Sequence, residues 1–84
     1  MSDTTRQLIV ELNNLTETGR VKSHIKALCN ANGITCEIKQ DGAGFVHSTY
    51  TFTLSGDKQS VDYVLSISKM YIQSSIWRYR SGIF

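Results

Sequence analysis

The sequence predicts an α+β domain of order β-α-β-β-α, a three-stranded antiparallel or mixed sheet with two helices on one face. Three observations predict it. Apolar residues alternate at period two in three stretches and recur at helical spacing in two others. The connections are short and hold residues that stop helices and turn strands. The 84 residues, 40% hydrophobic and 19% charged, suit one small domain and not a disordered chain. Two helices on one face is the simplest way to bury every amphipathic stripe. The order is that of a ferredoxin-like split β-α-β arrangement lacking its last strand. Such a sheet keeps open edges that a second chain could cover.

The first strand spans residues 7–13, where Leu8, Val10 and Leu12 share a face. Thr16 is the expected N-cap of the first helix, because its hydroxyl can accept an orphan backbone N–H. From there to Ala31, Val21, Ile25, Leu28 and Cys29 follow helical spacing, and Asn32-Gly33 is a stop signal. In the second strand, residues 34–39, Ile34, Cys36 and Ile38 face one way and Thr35, Glu37 and Lys39 the other. Asp41-Gly42-Ala43-Gly44 is the expected turn of an antiparallel hairpin. Ser48, Tyr50, Phe52 and Leu54 then alternate with His47, Thr49, Thr51 and Thr53 in a long third strand. Ser55-Gly56-Asp57 is expected to break it, with Asp57 capping a second helix from Lys58 to about Ser75. Residues 78–84 form a short basic tail.

The second helix has two apolar faces. Val61, Val64, Leu65, Tyr71, Ile72 and Ile76 should pack on the sheet, with Ser68 and Ser75 as small gaps. Tyr63, Ile67, Met70, Ser74 and Trp77 step by four and three along the far side. A helix on a sheet needs one such stripe. The second is expected to be an interface, most economically of a homodimer, since Tyr, Met and Trp are enriched at interfaces. Contact with the first helix is the alternative.

Charge is segregated. The net charge is +2, yet residues 18–32 carry +3 (Arg20, Lys22 and Lys26) and residues 63–84 carry +3 (Lys69, Arg78 and Arg80) with no acid in either segment. Lys22 and Lys26, four apart, repel mildly, and phosphate would relieve them. His24, on the same helix, could add a donor. Trp77-Arg78-Tyr79-Arg80 interleaves rings that can stack on unpaired bases with guanidinium groups that can fork onto phosphates. The predicted nucleic-acid set is therefore Arg20, Lys22, Lys26, Lys69, Arg78, Tyr79 and Arg80, and the interface set is Tyr63, Ile67, Met70 and Trp77. An ordinary solvated face with a cationic helix end is the competing explanation.

Other chemistries find little support. Cys29 and Cys36, with six residues between them, lack a zinc or redox spacing and read as buried reduced thiols of a cytoplasmic protein, a disulfide being the alternative. His24 and His47 lie on different elements. No catalytic set, metal site or cofactor motif stands out, and Gly42-Ala43-Gly44 has no following helix or lysine that would make it a phosphate loop. No apolar run approaches a membrane span, and the opening Met-Ser-Asp-Thr-Thr-Arg is too polar for a signal peptide. The outward strand positions Thr35, Glu37, Thr49, Thr51 and Thr53 lack the aromatics of a base-stacking sheet.

In size, in that polar opening and in its lack of enzyme signatures, the chain resembles the short accessory proteins that T4-like bacteriophages make against their hosts. Among these are the RNA-binding antagonists of type III toxin–antitoxin systems, in which an RNA antitoxin neutralises an endoribonuclease toxin. The resemblance implies a dimeric RNA binder, with a host toxin ribonucleoprotein as a further partner. It suits the two-faced helix and the basic segments Arg20-Val21-Lys22 through Lys26 and Trp77-Arg78-Tyr79-Arg80. The expectation is a small homodimeric RNA-binding protein without membrane contact. An inhibitor or adaptor that grips a protein through the second helix is the alternative.

Overall fold

A computed structural model describes residues 3–76. The elements are β1 (Asp3–Asn13), α1 (Thr18–Ala31), β2 (Thr35–Ala43), β3 (His47–Asp57) and α2 (Lys58–Ser75). The sheet has the order β1-β3-β2 and both pairings are antiparallel. β1 pairs with β3 without a slip from Asp3 opposite Asp57 to Asn13 opposite His47. α2 packs over β1 and β3, and α1 lies over β2 and beside α2. The order β-α-β-β-α and the α+β class are those the periodicity predicts. No helix among the described residues is long and apolar enough to cross a membrane.

One face of the sheet makes the core. Leu8, Val10 and Leu12 of β1 and Tyr50, Phe52 and Leu54 of β3 point to the helices and are buried. Val21, Ile25 and Cys29 of α1 and Val61, Val64, Ser68 and Ile72 of α2 meet them. Leu65 and Tyr71 are partly buried against the same cluster. Ser68 is fully buried and its hydroxyl has no partner, so it serves as a small spacer where α2 comes close to its neighbours.

α1 ends in a left-handed stop. Ile34 N–H donates to Cys29 O at 3.0 Å and Gly33 N–H to Asn30 O at 3.3 Å, with Gly33 at φ 68°. This is the paired closure that satisfies the last carbonyls of a helix, and the buried Cys29 and Ile34 sit across it. Asp57 caps α2, accepting from Ser60 N–H at 3.4 Å.

Three local expectations are corrected. Thr16 is not the cap of α1: Glu17 occupies that position without a side-chain cap bond. Asn13 organises the corner instead. Its side-chain oxygen accepts from Leu15 and Thr16 N–H, its carbonyl accepts from Glu17 N–H and the Thr18 hydroxyl, and Glu17 Oε1 accepts Asn13 N–H at 2.7 Å. Asp41–Ala43 is not the turn. β2 runs on to Ala43, with a bulge between Gln40 and Gly42, and the turn falls at residues 44–46. Cross-strand bonds hold this extension: Asp41 accepts the Thr51 hydroxyl, and Gly44 N–H donates to His47 O at 2.7 Å. Nor do Ser55 and Gly56 end β3, because both still pair with β1.

Candidate nucleic-acid interface

The site is built on α1. Arg20 and His24, four residues apart, face α2. Arg20 Nε donates to Thr16 O at 2.9 Å and Nη2 to Ser75 O at 3.4 Å. These bonds use two of the five guanidinium N–H groups and hold the rest at the junction of the two helices. His24 stacks on Tyr71, ring centroids 3.8 Å apart, and its Nε2 is buried without a partner. The histidine therefore belongs to the seam between the helices and not to a basic surface.

Lys22 and Lys26 lie on the other flank of α1, since side chains two apart on a helix do not share a face. Lys22 Nζ stands 4.5 Å from the centroid of the Tyr50 ring, a cation–π contact that orders the side chain without neutralising it. Lys26 is exposed and borders a recess of about 290 Å³ with Cys29, Asn30, Ile34 and Cys36. The ion pairs among the described residues join Arg6 and Lys58 to Asp62 and Lys39 to Asp41, and use none of Arg20, Lys22 or Lys26.

The predicted cations do not form one patch. Lys22 and Lys26 are together, and Arg20 is round the helix from them. Lys69 lies seven residues beyond Asp62, hence on the flank of α2 where Asp62 meets Arg6 of β1 at 3.5 Å. Both helices separate it from Lys22 and Lys26. Trp77, Arg78, Tyr79 and Arg80 lie outside the described residues. The chain passes towards them from Ser75 and Ile76, next to Arg20.

Of the interface set, Tyr63 is 55% and Met70 60% exposed, with Ile67 half-buried between them. Four exposed apolar side chains escaped the sequence reading, Ile9, Leu15, Phe45 and Val46. Phe45 is fully exposed at the hairpin tip and Leu15 is 92% exposed in the corner beside it. Asn14 ties the two loops, donating its backbone N–H to Val46 O at 2.7 Å and its amide to Gly44 O at 3.3 Å. Phe45 is an aromatic residue directly after a Gly-Ala-Gly run, which was the available signal for an exposed ring. The open sheet face has a shallow hollow of about 530 Å³ lined by Gln7, Glu37, Lys39, Asp41, Thr51 and Thr53. Its charges are mixed, so it offers a polyanion no net attraction.

The chain matches no protein-family model, no curated protein and no solved structure.

Proposed function

We propose that the protein binds RNA through the Lys22–Lys26 flank of α1 and the junction at Arg20, extended by Arg78, Tyr79 and Arg80. The observation that carries this is the Arg20–Ser75 bond, which joins the basic helix to the point from which the chain goes on to its second basic cluster. Arg80 is five residues beyond Ser75, within about 17 Å even if fully extended. Lys22 and Lys26 keep their charge free of carboxylates among the described residues. Phosphate contacts from such groups give affinity with little sequence preference. The resemblance to phage antagonists makes the RNA antitoxin of a type III system the first ligand to try.

Titration of labelled RNA at low salt tests the reading. Lys22→Glu with Lys26→Glu is expected to weaken binding about tenfold or more, because each reversal both removes a phosphate partner and adds repulsion. Equal affinity of variant and wild type would end the proposal.

The exposure of Tyr63 and Met70 favours a second element, pairing of two copies through the outer face of α2. Light scattering of nuclease-treated protein reads the assembly directly. Met70→Glu is expected to halve the mass of a dimer; a wild-type monomer would leave that face to a different protein.

A further inference from the structure

The cysteines, read from sequence as separate buried thiols, are neighbours. Cys29 is on the last turn of α1 and Cys36 near the start of β2, and the left-handed stop at Gly33 folds one back on the other. Both side chains line the same recess beside Lys26. Both are free thiols. Their environments differ: Cys29 is 2% exposed, whereas Cys36 is only half-buried on an edge strand.

We infer that Cys29 and Cys36 form a reversible dithiol site that is oxidised to an intramolecular disulfide by low-molecular-weight disulfides of the glutathione class. Cys36 attacks first. It is the more accessible thiol; burial raises its pKa, and Cys29 and then the Lys26 ammonium at the rim of the recess act against that rise. Its sulfur bonds to one sulfur of the reagent, whose S–S bond breaks and whose other half leaves as a thiolate. Cys29 resolves the mixed disulfide. Its sulfur attacks the Cys36 sulfur and expels the second half of the reagent. Two protein thiols are oxidised to one disulfide, one reagent disulfide is reduced to two thiols, and the two protein protons end on the products.

Proximity separates this pair from ordinary surface cysteines. A neighbouring thiol resolves a mixed disulfide at a high effective concentration, so the adduct is transient. The closed bond would tie the end of α1 to β2 directly beside Lys26. This proposal does not depend on RNA binding.

The test is incubation of the full-length reduced protein with oxidised glutathione at mildly alkaline pH, followed by intact mass and peptide mapping. Wild type is expected to lose two hydrogens, to show a Cys29–Cys36 linked peptide and to melt at a higher temperature, all reversed by dithiothreitol. Cys29→Ala is expected to accumulate a glutathione adduct on Cys36, because the resolving thiol is missing. Cys36→Ser, which keeps the buried thiol, is expected to stay largely unmodified. A persistent glutathione adduct on wild type, linkage between two chains, or no oxidation by excess oxidised glutathione would each overturn the inference, and the wild-type measurement alone suffices if a variant does not fold.

Discussion

Cys29 shows how far environment governs a single side chain. Its thiol is pushed up to about 12, first by burial and then by Cys36 beside it. A group whose folded pKa exceeds its unfolded value holds its proton more tightly in the native state. The associated stability is full below the ordinary value near 9 and is lost as pH rises from there towards 12. Urea unfolding of the reduced protein should therefore give midpoints that fall above pH 9, with a shallower fall for Cys29→Ala. Period-two and helical spacing were enough to assign both cysteines inward. That they share one recess was not legible, because it depends on how sharply the chain reverses at Gly33. His24 has the same lesson: its place on a basic helix suggested a donor, and only the crossing of α2 turned it onto Tyr71.

Elements repeat this division between local and paired information. The stop at Asn32-Gly33 and the cap at Asp57 were readable because each is decided within a few residues. The start of α1 was not, because Asn13 at the end of β1 accepts from Leu15 and Thr16 N–H and holds them in a turn, so that the helix begins only at Thr18. Two substitutions separate these roles. Asp57→Ala should cost about 0.5–1 kcal/mol in chemical unfolding, the usual loss for a carboxylate cap, while Thr16→Ala should stay within about 0.5 kcal/mol of wild type. The bulge after Gln40 was invisible in sequence since it is a property of β2 against β3. Gly56 is similar. Its φ of 150° and the 2.9 Å that would separate an added Cβ from Ile34 Cγ2 come from the packing of β3 under the loop after α1. Gly56→Ala should lose about 1–3 kcal/mol, the range for a strained backbone position, and a variant as stable as wild type would contradict the close approach.

At the scale of the molecule, fold class and topology were legible because five amphipathic segments have few ways to share one core. The distribution of the cations was not. Charge counted along the chain puts Lys22, Lys26 and Lys69 in one inventory, whereas helix geometry puts the first two on the outer flank of α1 and the third on the far flank of α2. An RNA strand following the α1 flank and the Arg20 junction would meet Lys22 and Lys26 and miss Lys69 on the same protomer. The salt dependence of binding resolves this, because the slope of log affinity against log salt counts displaced counterions and not total charge. Lys22→Gln and Lys26→Gln should each reduce that slope by about 1, as loss of one phosphate contact requires, and Lys69→Gln should change it by much less. Equal reductions for all three would mean that the ligand wraps both helices. A slope unchanged by any of them would detach RNA binding from the helical layer altogether and leave it to Arg78 and Arg80.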